Sequence, residues 1–365
     1  MTPRERLLTA LERGKPDRLP VQVHNWMPYS LNNYLAGCEA YHAYARFGMD
    51  SVIYVDPIYK ISDESKAKWI VDRKDLGLDD SGNHCWTQTI TTPEGTLTLS
   101  GSYNDITSWE TEPLIKSKED FELFRKYRPV PDSLDFGPVI AAQNRLGDGG
   151  ITRCCLWGYG QSGPWQSFCY LVGTEQAIYY AFDEPEWVHY VLQSLTDPQL
   201  KVIEMMKGML IDLVETGGGA GSNTVISPAM HKEFCTPYDR QQHDALHSIG
   251  IKVVYHLCGG LMHQLDNVIA NGADGLETMT PPGMGGDCNL AEASRLVGDK
   301  LFLIGGFNQK DGFEFGTPEK ARELVFECHA ACPNGGYICS PSDHFFFGDL
   351  ANVQAFADAA KECLY

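Results

Sequence analysis

The spacing of apolar and polar residues changes several times along the chain, and each change marks an element. In residues 1–14, Leu7, Leu8 and Leu11 share one helical face and Gly14 ends the run. Asp17-Arg18-Leu19-Pro20 then turns the chain into a first apolar strand over 21–24, with Asn25-Trp26-Met27 at its end. Residues 38–47 return to helical spacing, and a second strand over 51–56 stops at Pro57. Residues 85–111 alternate strictly around Pro93-Glu94-Gly95, which predicts an antiparallel hairpin insertion. A charged helix over 117–127 follows, opened by Ser117 with Asp120 three residues on.

From about residue 138 short apolar runs alternate regularly with helical stretches. Strands are predicted at 151–156, 210–215, 253–256, 275–278, 301–304 and 337–340, with helices between them. With the two early strands this makes eight β units. Repeated βα units predict a parallel sheet, and eight of them fit a (β/α)8 TIM-type barrel forming a single domain over 1–365. An open doubly wound sheet is the alternative, but no GxGxxG follows a strand, and the isolated run Gly217-Gly218-Gly219 is weak support for one.

Composition narrows the function classes. Of 365 residues, 43% are hydrophobic and 21% charged, which suits a water-soluble globular chain. No apolar run approaches the roughly 20 residues of a membrane span. The N-terminus opens a charged amphipathic helix with no secretory core, so a cytoplasmic location is expected. The net charge of -19 excludes nucleic acid and anionic membranes as partners, since both require a basic face. Twelve cysteines without a CxxC pair are expected to be mostly reduced and buried. Cys288, Cys328, Cys332 and Cys363 read as structural, and His231, His243, His247 and His263 as solvated helix residues.

The chemistry gathers around Lys252-Val253-Val254-Tyr255-His256-Leu257-Cys258-Gly259-Gly260. Side chains alternate along a strand, so His256 and Cys258 point the same way at a Gly-Gly exit. Imidazole beside thiolate suits Zn²⁺ or a related metal. In a barrel the chemistry sits where strands end. The strand ends carry, among others, His24, Asn25, Trp26, Tyr159, Gln161, Glu215, Glu277, Cys339, Asp343 and His344. That density points to an enzyme.

Several segments resemble the uroporphyrinogen decarboxylase superfamily. They are Arg4-Glu5-Arg6-Leu7-Leu8 with Pro16-Asp17-Arg18-Leu19-Pro20, Gly163-Pro164, Asp183-Glu184-Pro185-Glu186, His256-Leu257-Cys258-Gly259 and Gly335-Gly336-Tyr337-Ile338. The resemblance runs through most of the chain in order and implies a (β/α)8 barrel. True decarboxylases of that superfamily carry arginines after the first strand, to clamp porphyrinogen carboxylates. Here the stretch is His24-Asn25-Trp26-Met27-Pro28-Tyr29-Ser30, without arginine.

The other branch, the zinc-dependent corrinoid methyltransferases, carries His-x-Cys and a further Cys far downstream. His256-Leu257-Cys258 matches the first part, and the resemblance implies that His256 and Cys258 bind zinc. The downstream position, counted from Pro341, is Asp343. Thiolate chemistry favours Cys339 as third ligand, whereas position favours Asp343 or His344, and Glu277 is a candidate fourth. Asp343, His344 and Glu277 are also the acid–base candidates. Trp26, Tyr159 and Gln161, with Trp157 and Trp165, are expected to line the mouth against a corrinoid.

The resemblance therefore implies methyl transfer between a corrinoid protein and a small thiol or methoxylated substrate, and a possible homodimer. A metal-free decarboxylase using Arg153 and a non-catalytic corrinoid-binding barrel are the alternatives.

Overall fold

The computed structural model describes residues 1–365. Helix α1 (Pro3–Leu11) opens with a capping box: the Thr2 hydroxyl accepts from Glu5 N–H, and the Glu5 carboxylate accepts from Thr2 N–H. The strands follow in chain order as β1 (Ser51–Tyr54), β2 (Ile58–Lys60), β3 (Ile70–Leu78), β4 (His84–Thr92), β5 (Gly95–Tyr103), β6 (Ser108–Glu112), β7 (Ser133–Asp135), β8 (Gly150–Cys155), β9 (Leu213–Gly217), β10 (Val253–His256), β11 (Gly275–Thr278), β12 (Phe302–Phe307) and β13 (Tyr337–Pro341). Seven of them form one parallel sheet in the order β1-β8-β9-β10-β11-β12-β13, with helices between, as a TIM-type fold requires.

The eighth unit, expected over 21–24, contributes a single parallel bridge between Val21 and Cys339. Gln22 N–H donates to Cys339 O, Cys339 N–H donates to Pro20 O, and Asp50 N–H donates to Val21 O. This segment therefore links β13 to the start of β1. It stays short because Pro20 has no N–H and the Val21 N–H is taken by the Asp50 carboxylate at 3.1 Å.

Alternation along the strands divides the residues between lumen and helix layer. Val52, Ile151, Leu213, Val254, Phe302, Ile304 and Ile338 form one cluster with Leu7, Ala10 and Leu11 of α1. These are mostly early strand positions, so α1 plugs the end where the strands begin. The opposite end, where strands exit, is left to polar side chains.

The insertion is larger than the expected hairpin at 85–111. β3 to β6 form a four-stranded antiparallel sheet in sequence order, with Thr92 and Gly95 closing the predicted turn. β3 escapes sequence reading because all nine of its residues are exposed, so its two faces share no apolar-polar contrast. Ile90, Leu97 and Leu99 pack the sheet on Phe121 and Phe124 of the helix Lys118–Tyr127. No helix is long and apolar enough to cross a membrane.

Candidate metal centre

The strand parity that buries Val254 in the lumen brings His256 there one residue pair further on, at the exit of β10. β11 is in register with it and places Glu277 beside His256. His256 Nδ1 lies 2.9 Å from Glu277 Oε1 and 3.5 Å from Glu215 Oε1 of β9. His24, from the linking segment, sets its ring 5.5 Å from that of His256 and 5.0 Å from that of His344. The ligand-capable atoms of His24, His256 and Glu277 all lie within 4.8 Å of one another, and all three residues are buried. Cys258, just past the end of β10, lies close enough to His256 to act on its ring, though its thiol is not among those mutually close atoms.

Arg153 of β8 stands among these acids with no exposed surface. Its Nη2 is 2.6 Å from Glu215 Oε2 and 2.6 Å from Glu277 Oε1, and its guanidinium lies 4.6 Å from the Tyr54 ring centroid. Burial alone would raise the Glu277 carboxyl, but Arg153, with His256, holds it well below the usual carboxylate range. Burial would also lower His256, yet Cys258, Glu277 and Glu215 together hold it well above the ordinary imidazole value. Burial pushes His24 down to about 4, so it is neutral near pH 7 with a lone pair to give.

The residues present fit a metal. Two imidazoles, a thiol and a carboxylate are the donors that a borderline-soft divalent ion such as zinc takes. Glu277 Oε2 and His344 Nδ1 are buried without a hydrogen-bond partner, as are Arg153 Nε and Nη1. The thiol is also cradled: a Cβ on Gly219 would stand 2.5 Å from Cys258 Sγ.

Asp343 and His344 line a cleft of about 760 Å³ that opens beside this group. Ile106 and Thr107, from the turn between β5 and β6, face Met284, Lys310, Phe346 and Phe347 across it. The inserted sheet thus helps to wall the mouth.

The sequence model of the uroporphyrinogen decarboxylase (URO-D) family matches residues 102–363, well over half of the chain. The chain belongs to the uroporphyrinogen decarboxylase family. Among curated relatives, the uroporphyrinogen decarboxylase of Xanthomonas oryzae pv. oryzae is 27% identical over 176 residues, spanning 44% of this chain and 46% of that one. The enzyme of the same name from Neisseria gonorrhoeae is 36% identical over 120 residues, or 32% of this chain and 30% of the relative. The chain thus spans less than half the length of either. Among solved structures, a methyltransferase from Methanosarcina mazei superposes with a TM-score of 0.66, covering 99% of both chains at 13% identity. At that identity the likeness establishes the shared fold.

Within this family fold, the predicted residues fall into three groups. His256, Cys258 and Glu277 come together, and His344 joins them through His24. Asp343 lies at the cleft, with Oδ1 accepting from His344 N–H. Cys339 is not brought to the group. It was expected on the face that reaches the mouth, but the alternation that sends Ile338 into the lumen turns Cys339 outward, against Cys328 and near Cys363.

The expected corrinoid-contacting residues are dispersed. Trp26 is buried between Tyr44, Phe47 and Phe345, so it packs rather than lining the mouth. Trp165 is likewise in the core, donating to Ala220 O. Tyr159 lies in the loop after β8, with its hydroxyl on Glu110 of β6. Gln161 lies in the same loop, half-buried, and its carbonyl accepts from Ser167.

Two histidines expected on solvated faces are buried instead. His243 bonds with Thr216 and with Asn271 O, and His231 lies against Tyr255. His24 and Glu215 are recognisable as strand-end residues, but no local pattern ties either to His256. Arg153 does carry a signal, since it shares one parity in β8 with the lumen residue Ile151 and with Cys155.

Proposed function

We propose that this chain is a zinc-dependent methyltransferase that moves a methyl group between a corrinoid protein and a small thiol or methoxylated substrate. The observation that carries this reading is the convergence of His24, His256 and Glu277, with Cys258 against His256, at the strand exits. His24, His256 and Cys258 would hold the metal, with Glu277 behind His256. Bound zinc would supply a Lewis acid that lowers the pKa of a thiol or polarises a methoxyl oxygen.

The remaining work falls to the protein. Arg153 fixes the rotamers of Glu277 and Glu215, so the carboxylate behind His256 cannot swing away. Glu277 in turn orients the His256 ring through Nδ1, leaving Nε2 for the metal. The cleft beside His344 has the size of a small-molecule site, with apolar walls from Ile106, Met284, Phe346 and Phe347. The name of the Methanosarcina mazei structure agrees with this reaction class.

Decarboxylation, the activity in the names of the curated relatives, is the second reading. It calls for free cations at the mouth. Arg153 is committed to two carboxylates and residues 24–30 carry no arginine, which leaves Lys310 as the cation lining the cleft.

The test is metal content by elemental analysis of the native protein and of His256→Ala, Cys258→Ala and His24→Ala variants, followed by methyl transfer from methylcobalamin to thiols. About one zinc per chain, lost in the variants together with transfer, is expected. A native protein that takes up no zinc would sink the reading.

A further inference from the structure

Thr278 and Thr280 follow Glu277 out of β11, and neither belongs to the donor set. The backbone there is left-handed at two successive residues other than glycine: Thr278 has φ 80° and Met279 φ 46°. A β-branched residue at positive φ is a steric outlier that its surroundings must enforce. β12 makes room for it. Gly305 is in register with Thr278, and a Cβ on Gly305 would come within 2.2 Å of the Thr278 carbonyl oxygen.

Two hydrogen bonds depend on this turn. The Thr278 hydroxyl donates to Leu257 O at 2.9 Å, and Gly259 N–H donates to Thr280 Oγ1 at 3.3 Å. Leu257 and Gly259 are the residues on either side of Cys258. Both threonines are buried. The loop that carries the thiol is therefore gripped, before and after the cysteine, by the exit of the strand that carries Glu277.

We infer that Thr278 and Thr280 are positioning residues that clamp the Cys258 loop, so that the thiol, His256 and Glu277 keep one fixed geometry. The inference rests on the metal-centre reading and adds residues that touch neither metal nor substrate. A hydroxyl that only satisfied a loop carbonyl would affect stability without selecting thiol ligation.

The experiment uses full-length protein carrying Thr278→Val, Thr280→Val or both, with Thr278→Ser as the conservative control. Zinc affinity is read by competition with a chromophoric chelator, and thiol ligation by the thiolate-to-metal absorption of the Co²⁺-loaded protein. Supporting contacts behind metal ligands are typically worth about 10- to 100-fold in affinity. The double variant is accordingly expected to lose about tenfold or more, with a weakened thiolate band, while Thr278→Ser stays close to native. If the double variant does not fold, Thr280→Val alone, at the loop end of the clamp, is read against the same expectation of a weakened band.

Native affinity and an unchanged band in the valine variants would overturn the clamp and leave the metal reading intact. A native protein that binds no metal would instead overturn the metal reading. The clamp is then decided on metal-free protein by the iodoacetamide alkylation rate of Cys258, resolved by peptide mass spectrometry. A several-fold change on removing both hydroxyls upholds it, and equal rates reject it.

Discussion

Around Cys258 the space available is set by a residue with no side chain. A methyl group on Gly219 would meet Sγ at 2.5 Å, and the thiol, being the tip of a side chain, is the atom that yields. Gly219 has no positive φ, so alanine strains nothing in the backbone. Gly219→Ala is therefore expected to lower zinc occupancy with little change in melting temperature, checked by elemental analysis beside a thermal melt. At this scale His256 and Cys258 were legible because they end an apolar strand on one face. His24 could be recognised as metal-capable, but its partnership with His256 exists only once the sheet brings distant strands together. Cys339 misled because its chemistry suited a ligand while its parity did not. Ile338 beside it, an apolar residue facing the lumen, carried the deciding signal.

Between elements, the contact behind β10 has a pH dependence of its own. Asp239, on the helix Thr236–Ser248, accepts from the Tyr255 hydroxyl at 2.7 Å and is fully buried. Burial outweighs that hydrogen bond and pushes the carboxyl up to about 7. The folded state thus keeps a proton that the unfolded chain releases near pH 4, so this group's contribution to stability falls as pH rises from about 4 to about 7 and is flat above. Asn at this position keeps an acceptor for Tyr255 and cannot titrate. Between about pH 5 and pH 8 the native melting temperature should therefore drop relative to Asp239→Asn, and parallel curves would contradict the assignment. The inserted sheet shows where element reading stops. β4 and β5 announced themselves by alternation and a turn, whereas β3 is stabilised by its ladder to β4 and by Arg73 lying 4.0 Å from the centroid of the Trp86 ring, neither of which has a period.

The molecule as a whole is tied together at the base of the linking segment. Arg6, Arg18 and the Val21 N–H converge on Asp50, which has no exposed surface. Removing one partner of a buried ion pair strands the others, at about 3–5 kcal/mol. Asp50→Ala should cost that much in urea unfolding, and a loss below about 1 kcal/mol would show that the network is solvated. Seven of the eight expected β units were readable from repetition, but the reduction of the first, over 21–24, to one bridge on β13 was not, since nothing in a local pattern says which strand ends meet. That closure also has a consequence in time. His24 is translated early, yet its segment is held by β13, and His344 follows just after. On the ribosome, a nascent chain would already carry His256, Cys258 and Glu277 while the partners across the lumen still lacked their scaffold. The cluster of His24, His256 and Glu277 would therefore be completed only as the last strand emerges, at the end of biogenesis rather than at its start.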